Sequence, residues 1–163
     1  MKIRVPLFLA ISLAIVIVGL AGFLLLSARI AYRRQATAGY EGARSLWQEK
    51  GSSSYRIVVI SNSHTQQTGG RNEIRVQAGE IAEAHNPNCT SCTLGKFVAL
   101  TVEGLFQRIS TECLRDFPQQ YCNVKYDEDL GFPRRIDTYP YNRDGQERPS
   151  ITVEEVILVQ GQE

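Results

Sequence analysis

Hydrophobic residues change their spacing along this chain, and each change predicts a different element. From Val5 to Ser27 they are nearly continuous, 23 residues without a charge. A helix of that length reaches roughly 35 Å, enough to cross a hydrocarbon core of about 30 Å. The run holds seven Leu, three Ile, three Val and two Phe. At about −0.4 kcal/mol each, they favour insertion by about 6 kcal/mol. Residues 5–27 are therefore expected to lie in a lipid bilayer. From residue 35 to 50 the spacing becomes helical: Ala36, Tyr40, Ala43 and Trp47 share a face, with Leu46 beside them. Gly51 and the serines 52–54 end that helix.

Beyond Tyr55 the period falls to two. Tyr55, Ile57 and Val59 predict a strand whose other face, with Val58 and Ile60, is partly apolar. Ser61 to Gly70 is a polar loop without a core candidate. Ile74 and Val76 alternate with polar residues, and Ala78-Gly79-Glu80 turns that strand back into Ile81–Ala84 as a hairpin. His85 to Gly95 reads as irregular. Thr101 can cap a helix whose Val102, Leu105, Phe106, Ile109 and Cys113 fall on one side, with Glu103 in its favourable first turn. Pro118 closes that region. Cys122–Tyr126, Arg134–Tyr139 and Ile151–Val159 are further strands, separated by the acidic turn Asp127-Glu128-Asp129 and a long turn at Asp144-Gly145. The expected fold is α+β: an N-terminal transmembrane helix, then an antiparallel sheet of about six strands covered by two helices, in the order α-βββ-α-βββ.

Charge divides the chain in the same place. Residues 1–34 carry five basic groups (Lys2, Arg4, Arg29, Arg33, Arg34) and no acid, which marks them as an anchor with basic flanks. Residues 35–163 carry 13 Lys and Arg against all 17 Asp and Glu, a net −4 for the globular domain. A mildly acidic domain argues against a nucleic-acid partner. A cleaved signal peptide is the competing reading of the apolar run. The run is longer than a usual signal core, Leu26-Ser27-Ala28 is a poor cleavage site, and Arg29, Arg33 and Arg34 suit a retained helix. The basic excess after the helix leans toward a cytoplasmic domain. Four cysteines with no metal-ligand histidines nearby lean the other way, toward an oxidising compartment. The expectation is a single-pass protein of the cell membrane with its domain on the extracytoplasmic side. The small residues Ala10, Ala14, Gly19, Ala21 and Gly22 would let a neighbouring helix approach.

One combination of residues is familiar. Trp47 ends a helix, Tyr55 leads a strand, a short hairpin follows, and then come Thr101–Ile109, Val124-Lys-Tyr-Asp-Glu-Asp-Leu-Gly-Phe-Pro133 and Ile136-Asp137. Over residues 44–160 this resembles a bacterial group of secreted or membrane-anchored proteins, the domain of unknown function numbered sixty-one seventy-four. Members often carry a close cysteine pair just after the first strand, where this chain has Ser61-Asn62-Ser63-His64. The group has no established activity, so the resemblance implies an architecture and not a reaction.

Candidate chemistry is sparse. Cys89-Thr-Ser-Cys92 has redox-dithiol spacing, but such thiolates need a helix N-terminus or positive charge, and here only Lys96 is a nearby cation. Structural disulfides are favoured, paired Cys89–Cys92 and Cys113–Cys122 among the three connectivities. A zinc site built from all four cysteines has poor spacing. His64 and His85 are expected in polar loops, without an acid and nucleophile at a recognisable spacing. Asp127-Glu128-Asp129 with Asp137 fails the calcium-loop pattern. Tyr139 and Tyr141 are candidate partner contacts. No catalytic residue, cofactor or metal is assigned. The expected function is a non-enzymatic accessory or binding module with a membrane-protein partner, a small subunit of a larger membrane complex. The alternative is an extracytoplasmic thiol-disulfide oxidoreductase using the CxxC pair.

Overall fold

The computed structural model describes residues 7–62, 69–89, 92–115, 120–140 and 149–159, with side chains from Val16 onward apart from Gln120, Tyr121 and Pro140. Two compact units divide at Ala38/Gly39. Helix α1, Leu7–Lys50, contributes its first part to one unit and its last turns to the other. Among the described residues it is the one helix long and apolar enough to cross a membrane. Its side chains from Val16 to Leu26 are exposed, Val18, Phe23 and Leu25 by 68–72%. Val5 and Pro6, the start of the expected span, lie outside the described residues.

The second unit is the α+β domain. Strands β1 (Tyr55–Ser61), β2 (Gly70–Gln77), β3 (Glu80–His85), β4 (Gln120–Tyr126), β5 (Pro133–Pro140) and β6 (Ser150–Leu158) form one antiparallel sheet in the order β3-β2-β1-β6-β5-β4. Two consecutive three-stranded halves thus meet where β1 pairs β6, from Tyr55↔Leu158 to Ser61↔Ile151. The β2–β3 turn has Ala78 at φ +52° and Gly79 at φ +82°, the left-handed pair of a tight hairpin. Alanine tolerates that conformation because Ser53 and Ser54 hold the turn: Ala78 N–H donates to Ser54 Oγ (3.0 Å) and Gly79 N–H to Ser53 O (2.7 Å).

Between the halves the chain winds three ways. Leu94–Leu100 is a 3-10 helix, helix α2 is Val102–Arg108, and Ile109–Arg115 is π-helical. Three sequence expectations change here. His85–Gly95 is not wholly irregular, since His85 ends β3 and the 3-10 helix begins at Leu94. Its Leu94, Phe97 and Leu100 recur every third residue, and Phe97 and Leu100 are buried. The helix expected from Thr101 to Cys113 is α-helical only to Arg108, and the wider turn beyond still keeps Ile109 and Cys113 inward. Ser61 ends β1 rather than opening a loop; it is 1% exposed, and its Oγ has no partner among the described residues.

One face of the sheet carries the core. Tyr55, Ile57, Val59, Ile74, Val76, Ile136, Ile151 and Val153 pack with Tyr40, Ala43 and Trp47 of α1 and with Phe97, Leu105, Phe106 and Ile109. The other face of β1, β2 and β6 is charged. Arg56 bridges Glu73 and Glu155, each at 2.9 Å, and Arg71 joins Glu154 at 3.1 Å.

Candidate functional site

Two buried aromatic polar groups organise the core beneath the helices. An indole N–H and a phenol removed from water each need a partner. Both find it in Glu103, which lies 56 and 48 residues away along the chain. Trp47 Nε1–H donates to Glu103 Oε1 at 3.1 Å, and Tyr55 O–H donates to Oε2. Tyr55 Oη in turn accepts from Val102 N–H at 3.1 Å. Burial first, then the bond and charge of Glu103, push the Tyr55 phenol above its ordinary value. The start of α2 is set for this: Thr101 Oγ1 accepts from Gly104 N–H (3.1 Å) and donates to Val98 O (2.8 Å). Gly104 has no room for a side chain, because a Cβ there would lie 2.0 Å from Val98 O.

The segment from Val124 to Pro133 packs against the same turns of α1. Asp127 Oδ1 accepts from Asp129 N–H (3.1 Å) and Leu130 N–H (2.9 Å), and Asp127 N–H donates to Phe132 O (2.8 Å). This closed turn puts Gly131 at φ +81°, where a Cβ would lie 2.3 Å from Ala43 O and 3.0 Å from Trp47 N. Phe132 then meets Trp47 edge-on at 6.4 Å, while Trp47 meets Tyr55 in the same way at 5.4 Å. Tyr40 and Phe106 make a third edge contact at 5.8 Å, and Phe106 stacks on Tyr126. Burial, then the neighbouring Tyr40, push the Tyr126 phenol up as well.

Above these aromatics the last turns of α1 and the α2 region leave an open groove of about 620 Å³. Tyr40, Trp47 and Phe106 form its floor. Arg44, Gln48, Ser52 and Ser53 rim one side and Glu103, Gln107 and Ser110 the other. Arg44 donates to Tyr40 Oη at 3.3 Å, with its guanidinium 6.0 Å from the Tyr40 ring centre.

The residues singled out from the sequence lie elsewhere. Cys89–Cys92 and Cys113–Cys122 are both disulfides, and no described cysteine is free. The second ties the π-helical segment to β4, with both cysteines buried. The first closes a loop held by Cys89 N–H donating to Asn86 O (3.1 Å), and a 3-10 helix follows it, not an α-helix. Asn86 is itself buried and donates to Asn72 Oδ1 at 2.7 Å, so a buried amide pair joins β2 to the disulfide loop. His85 lies on the charged face opposite Glu73. Among the described residues, no three His, Cys, Asp or Glu side chains are placed to hold a metal ion. Asp127 is committed to its turn, and Asp137 pairs with Arg135 at 2.9 Å. Tyr139 is half-buried opposite Tyr121; Tyr141, His64, Pro118, Asp144 and Gly145 lie outside the described residues.

Sequence reasoning passed over Glu103, Arg44, Asn72 and Asn86. Glu103 reads simply as a first-turn acid, and nothing local ties it to Trp47 and Tyr55. Asn72 alternates correctly with Ile74 and Val76, and that was the signal that it faces inward.

A family of unknown function, DUF6174, matches residues 39–157, and the chain belongs to it. No curated protein and no solved structure matches the chain.

Proposed function

We propose that this DUF6174 member is a single-pass, membrane-anchored binding module. Its domain works on the extracytoplasmic side, without catalysing a reaction, as an accessory to a larger membrane complex. The observation that carries this reading is the bare apolar surface of α1. Val16, Ile17, Val18, Leu20, Phe23, Leu24, Leu25 and Leu26 are all more than half exposed. Water covers such a surface at a cost of about 25 cal/mol per Å², and hydrocarbon removes that cost. The arginines that follow, Arg29, Arg33 and Arg34, suit a headgroup boundary. Two disulfides support an oxidising compartment. The binding role rests on an open groove with an aromatic floor and a rim of polar side chains.

The test uses the full chain expressed in cells. After an alkaline carbonate wash it is expected in the membrane pellet, released only by detergent, with an N-terminus at Met1. Protease added outside spheroplasts is expected to remove the domain. Recovery in the wash, or a mature chain starting near Arg29, sinks the anchor; protection from external protease reverses the topology.

A further inference from the structure

Six described arginines of the domain are paired with acids, and Arg44 contrasts with them. Arg56, Arg71, Arg75, Arg108, Arg134 and Arg135 each have a carboxylate within 4.0 Å. Arg44 has none among the described residues; the phenol of Tyr40 and its ring hold it instead. A guanidinium has five N–H donors, and a neutral phenol occupies one of them. Placed on the rim of a groove, such a group is set to take a planar anion through two parallel bonds.

The rest of the groove narrows the choice of anion. Glu103 shares the rim, and its two oxygens are already oriented by Trp47 and Tyr55, with no cation partner among the described residues. A compact dianion such as phosphate would meet that charge unrelieved. A peptide segment offers a singly charged carboxylate to Arg44 and N–H donors to Glu103. Gln48, Gln107, Ser53 and Ser110 supply the neutral donors and acceptors that peptide amides require.

We infer that the groove between α1 and α2 receives a peptide segment bearing a carboxylate, anchored by Arg44. The inference rests on the binding-module reading and gives that module its ligand class.

Trp47 is the chain's single tryptophan and lines the groove, so its emission reports occupancy. The full chain in detergent micelles is titrated with the blocked tripeptide N-acetyl-glycyl-glutamyl-glycinamide, which has a single carboxylate, with its lysyl counterpart, which has none, and with free glutamate and inorganic phosphate. Micelles make the readout independent of which membrane, if any, holds the chain, so failure here differs from failure of the anchor. The glutamyl tripeptide is expected to change the emission saturably, with a midpoint below about 1 mM. Arg44→Gln weakens that midpoint by about tenfold or more while leaving thermal unfolding unchanged, since the side chain is on the rim. Arg56→Gln, on the other face of the sheet, leaves it in place. The inference is overturned by an absent or unsaturable response, or by the lysyl tripeptide or phosphate matching the glutamyl one. Free glutamate binding as tightly as the glutamyl tripeptide, or an Arg44→Gln midpoint equal to wild type, overturns it as well.

Discussion

The two faces of the sheet are made from the same strands and held by different physics. In β2, Ile74 points into the core and is fully buried, whereas its neighbour Glu73 points outward at 39% side-chain exposure into two arginines. In β1, Tyr55, Ile57 and Val59 lie under α1 and α2, whereas Arg56 and Val58 lie on the face that none of the described helices covers. Core burial removes apolar surface from water, at roughly 2–3 kcal/mol for each large side chain. Exposed ion pairs gain little, since water already solvates both partners, and the median is below about 1 kcal/mol. The covered face therefore carries the stability of the fold, and the open face carries its solubility. Val58 sharpens the contrast, because it is 1% exposed on the open side. Its cross-strand neighbours are Glu73 and Glu155, which Arg56 ties together from the same strand.

Adjacent substitutions in β2 test this most strongly. Ile74→Ala is expected to cost about 3–4 kcal/mol in denaturant unfolding of the full chain, through lost transfer energy and the cavity left behind. Glu73→Ala, one residue earlier, is expected to cost less than about 1 kcal/mol. Equal losses would mean that the two faces do not differ in the way described.

Next comes the fit of the β4–β5 turn against α1. Gly131 and Gly79 share a positive φ, but a Cβ at Gly131 strikes the backbone of α1, while a Cβ at Gly79 meets nothing within 4 Å. Gly79→Ala is expected to cost about 1 kcal/mol, the conformational share alone. Gly131→Ala is expected to cost about 3 kcal/mol, because crowding adds to it. A difference near zero would show that α1 yields easily, and that the turn does not position it.

The buried tyrosines Tyr55 and Tyr126 give the covered face a pH limit. Tyr55 and Tyr126 hold their protons more tightly when folded than a free tyrosine, whose value is about 10. Below that value both states are protonated, and the contribution to stability is complete. As pH rises past it, the unfolded chain loses protons that the folded chain keeps. Stability then falls by about 1.4 kcal/mol per pH unit for each such tyrosine. Tyr55→Phe is expected to cost about 1–3 kcal/mol at neutral pH, because Val102 N–H loses its acceptor. The same variant should show an alkaline slope shallower by one tyrosine's share. An unchanged slope would remove Tyr55 from the account.

Much of this division is legible in the amino-acid pattern alone. The period-two runs at Tyr55–Val59 and Ile74–Val76, the turn at Ala78-Gly79 and the Thr101 cap each follow from local chemistry, and each appears where it should. Long-range pairing is different. Nothing local says that β1 takes β6 as its neighbour, because many antiparallel orders satisfy the same alternation. Switches of helix type are also hard to read: 3-10, α and π turns bury similar patterns, and neighbours decide among them. The groove is least legible of all. It depends on where α1 and α2 fail to meet, and its charged residues look like ordinary surface residues on their own helices.

The smallest expected effect concerns Arg56, and it separates charge from cover. Its guanidinium links Glu73 and Glu155, while its hydrocarbon stem lies on the same face as Val58. Arg56→Met keeps a long stem and removes the charge, so it is expected to cost about 0.5 kcal/mol or less at physiological salt. Arg56→Ala removes the stem too, leaves Val58 wetter, and is expected to cost about 1 kcal/mol. Added salt should weaken wild type slightly relative to Arg56→Met, since screening acts only where the ion pairs remain. If the methionine variant proved as costly as the alanine one, the two glutamates left without their arginine would be the cause, since both variants lack it. The open face would then be an electrostatic structure in its own right rather than a solvated cover over Val58.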